Sequence, residues 1–235
     1  PTRMRTTGCS AGGAGSLTNY APTRQDIAPT RSFLINDSGP VFSAISGGGN
    51  EAYPSLPLQG FIRDAWGLDA GPLPYLQSRL PGLNLNNLGS LYPALSSNLA
   101  GDRMGHTHFW KDLNYSSYSY ERFYPEIINA PNQAAKEALI HAKWDVDTGR
   151  LRNELANLPN VGGYFPQYRA VNESHCTSII EFANADIQEQ NLQLDDFVNN
   201  VMNGSGPVLD ASEQSDTADR NKPFNLLYYA LDQLL

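Results

Sequence analysis

The sequence predicts an α/β fold, a single domain built on a parallel sheet flanked by helices. Three observations carry that prediction. Short β-compatible runs alternate with helical stretches along the chain. A Gly-rich turn stands where the first strand would pass into the first helix. The 235 residues, 40% of them hydrophobic, suffice for one sizeable core, and no low-complexity tract or linker divides them.

The first strand is the Thr-rich run Met4-Arg5-Thr6-Thr7, ending at Gly8. A helix is expected over Ala14 to Tyr20, with Pro22 as its interruption. Ser32-Phe33-Leu34-Ile35-Asn36 suits a buried parallel strand, and Asp37-Ser38-Gly39-Pro40 has the composition of a turn. Residues 40–99 then read as an irregular insertion broken by Gly47-Gly48-Gly49, several prolines and Asn84 to Asn87, with short helices over Leu58 to Trp66 and Leu91 to Leu99. Such an insertion between strands suits a lid or a substrate cleft. Arg103 to Trp110 reads as a third strand and Tyr164 to Val171 as a fourth, despite Pro166. Between them, Asn132 to Leu158 reads as helix in two pieces, broken near Asp147 to Gly149. Helices over Leu194 to Asn203, stopped by Gly204, and over Phe224 to Leu235 close the chain.

Composition narrows the partners. Charged residues make up 17%, below the usual level of about a quarter. The net charge is -8, with the acid concentrated after Glu173, and no basic patch is evident. Nucleic acid and anionic membrane surfaces are therefore disfavoured as partners. No apolar run approaches the roughly 20 residues that span a bilayer. No signal peptide is visible, but the chain begins with Pro1 rather than Met and reads as truncated or processed, so that absence carries no weight.

The opening strand, turn and helix hold the pentapeptide Gly8-Cys9-Ser10-Ala11-Gly12, a G-x-S-x-G pattern. It fits the turn that presents a nucleophilic serine in α/β-hydrolases. The serine backbone is strained there, so its neighbours must be tiny for strand and helix to approach; Gly8, Ala11, Gly12 and Gly13 meet that demand. The helix N-terminus then faces Ser10, and its unpaired donors, beginning with the N–H of Ala11, suit an oxyanion. The alternative is a flexible Gly/Ser/Ala loop without chemistry.

An acid and a base are sought at the C-terminal ends of the other strands. Asp112 follows the strand read as ending at Trp110, and Asp37 follows Asn36. His175, in Asn172-Glu173-Ser174-His175-Cys176, follows the last strand. The order Ser, Asp, His is that of the α/β-hydrolases, with His175 taking the proton of Ser10 and a carboxylate fixing its tautomer. His106 and His108 alternate onto one strand face as a metal pair would, yet no third ligand has helpful spacing, so no metal or other cofactor is expected. His141 reads as a surface or packing residue on a helix.

Cys9 immediately precedes the candidate nucleophile, and Cys176 immediately follows the candidate base. With Ser10 and His175 in reach of each other, the cysteines fall inside the Cα separation of about 4.4–6.8 Å that a disulfide needs. Such a bridge closes a long loop, allowing stabilisation on the order of 4–5 kcal/mol before strain, and points to an oxidising compartment. The alternative is a pair of free, buried small hydrophobes.

Gly8-Cys9-Ser10-Ala11-Gly12-Gly13, the Asp37-Ser38-Gly39 turn and Ser174-His175-Cys176 together resemble the pectin acetylesterase family, which includes the Notum carboxylesterases. The resemblance covers these anchors and their spacing. It implies Ser10 as nucleophile, His175 as base and, by position in Lys111-Asp112-Leu113-Asn114, Asp112 as the acid; Asp37 is matched but is not the triad acid of that family. The paired Cys-Ser and His-Cys are also similar to the tannase and feruloyl esterase family, where such cysteines bridge. Both resemblances imply secreted or periplasmic carboxylic ester hydrolases acting on an ester substrate, here carbohydrate-linked.

Hydrolases of this class place the nucleophile turn after the fifth of eight strands, so the fold expected is an α/β-hydrolase-like sheet truncated before the nucleophile strand. The partner this implies is a missing N-terminal segment or chain carrying further oxyanion donors. Loss of one such donor costs roughly two to three powers of ten in rate, so the chain alone is expected to be weakly active or inactive. Met4 to Gly8 is expected at an open sheet edge. The leading function is a serine esterase that removes acetyl or another small acyl group from a polysaccharide or similar ester; the alternative is a noncatalytic carbohydrate-binding or structural remnant, with the tyrosines from Tyr115 to Tyr124 stacking on sugar rings.

Overall fold

The computed structural model describes residues 1–169, 171–179 and 185–214. Five parallel strands form one sheet in the order β1-β2-β3-β4-β5: Arg3–Cys9, Arg31–Asp37, Arg103–Thr107, Val161–Phe165 and Ala211–Ser212. Helices α1 (Ala11–Ile27), α2 (Leu56–Ala65), α3 (Pro72–Arg79) and α4 (Leu91–Asn98) join the first three strands. After β3 come α5 (Leu113–Tyr120), α6 (Pro125–Ile128) and α7 (Gln133–Leu155), and α8 (Leu194–Asn203) lies between β4 and β5. The expected helix over Phe224 to Leu235 lies outside the described residues.

Alternation along the strands divides the core into two layers. In β2, Leu34 points to one face and Ile35 to the other. Leu34, Met104, Val161 and Phe165 pack with Leu17 and Tyr20 of α1, Leu95 of α4 and Trp144 of α7. On the opposite face Ile35 and Tyr164 pack with Leu194, Phe197 and Val201, the i, i+3, i+7 stripe of α8. β2 is buried along Ser32 to Asp37, whereas Arg3, Arg5 and Thr7 of β1 are exposed, and among the described residues β1 is an edge strand.

Several boundaries differ from those read in the sequence. Helix α1 runs through Pro22 rather than stopping before it. The lost N–H is outweighed by packing of the fully buried Leu17, Tyr20 and Ala21 and by the Arg24–Asp102 ion pair at 3.0 Å beyond the proline. Helix α7 is likewise unbroken at Asp147 to Gly149. Asp147 accepts the Tyr120 hydroxyl at 2.8 Å and Thr148 pairs with His108, so neither side chain turns back on its own backbone. β3 ends at Thr107 rather than Trp110, and β4 spans Val161–Phe165 rather than Tyr164 to Val171, because Pro166 cannot continue the ladder. Residues 40–99 contain α2 and α4 close to the helices read there, and also α3, whose Leu73 and Leu76 are buried.

Candidate active site

The strand ends that carry the site are level with one another. Cys9 of β1 pairs with Asp37 of β2, and Asp37 pairs with Thr107 of β3, so Ser10, Ser38 and His108 leave the sheet side by side. That edge is the C-terminal one, where open parallel sheets bind ligands.

Ser10 sits between β1 and α1 with φ 58° and ψ −127°, a conformation that L-residues avoid unless their surroundings impose it. Its N–H donates to the Asp37 carbonyl at 2.9 Å, and its own carbonyl accepts from Ala14 N–H at 3.1 Å. Ala11 is the first residue of α1, so its N–H is one of those a helix leaves without an intrahelical acceptor. The need for small residues falls on Gly8 and Gly13. A Cβ on Gly8 would overlap the backbone of Gly12, and one on Gly13 would lie 2.5 Å from Asn36 Oδ1 and 2.6 Å from the Asp37 carbonyl. Ala11 and Gly12, read from sequence as part of the same demand, are exposed, and nothing lies within 4 Å of a Cβ on Gly12.

His175 stands in a short loop that joins the site by several ties. The disulfide Cys9–Cys176 bonds the residue before Ser10 to the residue after His175, with the Cα atoms 5.7 Å apart. Cys9, His175 and Cys176 are also the described residues whose ligand-type atoms gather as a metal site would require, but both sulfurs are consumed in the bridge. Ser174 Oγ accepts the Arg169 N–H and donates to the Arg169 carbonyl, both at 2.6 Å. Arg169 in turn is ion-paired with Glu213 at 3.0 Å in a buried position just past β5. Glu173, Ser174 and Cys176 all have positive φ, so the loop is held in a conformation it would not adopt alone.

Of the two candidate acids, Asp112 meets His175: Asp112 Oδ2 lies 2.7 Å from His175 Nδ1. Its other oxygen accepts the Tyr115 N–H at 2.8 Å, so Asp112 is also the N-cap of α5. Burial raises the Asp112 carboxyl above its ordinary range, and the hydrogen bond to His175 works against that shift. An ionised carboxylate can only accept, which assigns the proton to Nδ1 and leaves Nε2 as the acceptor. Tyr115 stands beside the imidazole with ring centroids 6.3 Å apart. Asp37, the alternative acid, instead directs its carboxylate to Thr177 and Ser178. Helix α5 is absent from the sequence reading, although an Asp one position before a helical run is an N-cap signal that points to it.

His106 and His108 do share a face, and they form a buried chain: Tyr92 Oη to His106 Nδ1 at 2.9 Å, His106 Nε2 to His108 Nδ1 at 2.7 Å, and His108 Nε2 to Thr148 Oγ1 at 3.1 Å. Every ring nitrogen of the pair is thereby engaged. Burial pushes His106 down to about 3 and His108 well below its ordinary value, so both are neutral structural residues. Of the tyrosines considered for sugar stacking, Tyr120 and Tyr124 are buried in the core, whereas Tyr118 is exposed. Among the described residues no helix is long and apolar enough to cross a membrane.

Comparison of the chain with protein-family models, with curated proteins and with solved structures finds no match.

Proposed function

We propose that the chain is a serine carboxylic-ester hydrolase of the α/β-hydrolase type, with Ser10 as nucleophile, His175 as general base and Asp112 as the orienting acid. The observation that carries this reading is the Asp112–His175 hydrogen bond of 2.7 Å beside a serine at φ 58°, the two tied through Cys9–Cys176. His175 Nε2 takes the hydroxyl proton as Ser10 Oγ bonds to the ester carbonyl carbon, and Asp112 stabilises the imidazolium that results. The Ala11 N–H, at the positive end of α1, receives the developing oxyanion. The imidazolium then protonates the departing alkoxide, and the alcohol leaves an acyl group on Ser10. Water, deprotonated by the same Nε2, releases the acid and restores the hydroxyl.

A small acyl group on a carbohydrate is the substrate class that the motif resemblance favours. The net charge of -8 weakens the case for a polyanionic one. The disulfide is compatible with an extracellular or periplasmic setting, which we propose as its location. The test is labelling with a fluorophosphonate probe alongside acetyl-ester hydrolysis, with Ser10→Ala as control. Labelling and turnover that both disappear in Ser10→Ala are expected. Turnover that persists in Ser10→Ala overturns the assignment, and a full-length protein that neither labels nor turns over favours a noncatalytic remnant.

A further inference from the structure

Asp37 touches both sides of the candidate site through different atoms. Its main-chain oxygen accepts the N–H of Ser10 at 2.9 Å. Its carboxylate faces the loop that follows His175. Oδ1 accepts the Thr177 N–H at 2.9 Å and the Thr177 hydroxyl at 3.0 Å; Oδ2 accepts the Ser178 N–H at 2.9 Å and the Ser178 hydroxyl at 2.6 Å. The Ser38 hydroxyl completes the set, donating to Asp37 Oδ1 at 3.0 Å while accepting the Cys176 N–H at 3.1 Å. Successive N–H groups of residues 176, 177 and 178 therefore all end on Asp37 or on its neighbour. Thr107, at the end of β3, adds a hydrogen bond from its hydroxyl to Thr177 Oγ1 at 3.1 Å.

We propose that Asp37 is a positioning residue for the hydrolysis, setting the distance between Ser10 and His175 by holding the backbone of one and the loop of the other. The proposal rests on the esterase reading above. Geometry argues for a carboxylate in particular. The donors converge on two oxygens, and an ionised carboxylate offers about four lone-pair sites and no hydrogen of its own. An amide of the same shape would turn an NH2 group toward the N–H and O–H of one partner, setting donor against donor. The disulfide does not duplicate this role, because it fixes the side chain of Cys176 and leaves residues 177 and 178 untouched. With Glu173, Ser174 and Cys176 at φ 55°, 54° and 63°, the loop has less strained conformations to relax into once the clamp is gone. Relaxation on that scale shifts the imidazole relative to Ser10.

The test is Asp37→Asn in the full, oxidised chain, read three ways. A misplacement of the base by about 1 Å predicts a loss of about 100-fold in kcat with KM little changed. Amide exchange at Thr177 and Ser178 is expected to accelerate at least about tenfold while amides within β2 and β3 stay as protected as before. In a His175→Ala background the same substitution is expected to cost nothing further, since there is no imidazole left to misplace. A merely structural role would lower activity in both backgrounds and loosen the strands as well. If Asp37→Asn does not fold, Thr177→Val combined with Ser178→Ala removes the two hydroxyl donors and is read in the same way. Unchanged exchange at residues 177 and 178 overturns the clamp whatever the activity. Faster exchange with wild-type kcat, or an equal loss in the His175→Ala background, overturns the positioning role. Failure of the esterase reading is separately visible, as hydrolysis by the wild-type chain that does not depend on Ser10.

Discussion

Ser10 and His175 reach the same sheet edge by opposite routes. Ser10 is placed by the strand and helix on either side of it: β1 ends at Cys9, α1 begins at Ala11, and the strained residue between them is fixed by close packing at Gly8 and Gly13 and by its N–H bond to the Asp37 carbonyl of β2. His175 belongs to no strand or α-helix, and its loop is held by long-range ties to Cys9, Asp37, Ser38 and Asp112, with a local one to Arg169. A strand and helix enforce one backbone path through repeated hydrogen bonds, so Ser10 needs few special contacts. His175 needs many, each of modest worth, because a loop has no such repeat. Substitutions that pack around Ser10 should therefore act mainly through folding, and those around His175 mainly through the chemistry proposed for it.

The largest effect expected on the His175 side is that of Asp112→Asn. The amide preserves the shape of the N-cap, since its oxygen can still accept the Tyr115 N–H, so the fold should survive. What changes is the partner of His175 Nδ1. An amide NH2 there favours the wrong imidazole tautomer, and the turnover of acetyl esters should fall by about four powers of ten. Activity within tenfold of wild type would remove Asp112 from the site and erase the difference between the Ser10 and His175 sides. Circular dichroism and the thermal midpoint of the variant should stay close to wild type, separating chemistry from folding.

Replacing Cys9 and Cys176 together by Ser comes next, and it tests whether the two sides are as independent as they look. The bridge spans a sequence separation of 167, for which the chain-entropy model allows about 5 kcal/mol of stabilisation. Urea unfolding should show a loss approaching that figure. If Asp37 and Ser38 hold the loop by themselves, the Asp112–His175 pair persists, and kcat in the still-folded fraction falls less than in Asp37→Asn. A greater loss would make the disulfide the dominant tie.

How much of this was legible in the sequence follows the same division. Gly8-Cys9-Ser10-Ala11-Gly12 is contiguous, so its turn could be read directly, and α8 announces itself through its apolar stripe and Gly204. The α/β alternation and the meeting of Cys9 with Cys176 were readable too, because residues next to a paired constellation must themselves be near. Long-range packing was not readable. It carries α1 through Pro22 and α7 through Asp147 to Gly149, where local rules predict breaks. The part played by Asp37 was equally hidden, since a turn acid looks the same in sequence whether it faces a histidine or the backbone beyond it. Asp112 could be nominated by position, but only coordinates distinguish its partner from that of Asp37.

The smallest effects expected lie on the Ser10 side and come as an opposed pair. A methyl group on Gly13 would meet Asn36 Oδ1 and the Asp37 carbonyl, and the second of these is backbone that cannot swing aside. Gly13→Ala should therefore push α1 away from β2 and destabilise the fold by about 1–3 kcal/mol. Gly12→Ala, one residue earlier in the same helix, meets nothing within 4 Å and exchanges a poor helix former for the best one. It should stabilise the fold by up to about 1 kcal/mol, part of it by restricting the unfolded chain. Both shifts can be read from urea midpoints at constant slope. If instead Gly12→Ala destabilised and Gly13→Ala did not, the serine turn would be held by contacts other than the approach of α1 to the sheet. Ser10 would then depend on loop ties as His175 does, and its placement would no longer follow from the strand and helix beside it.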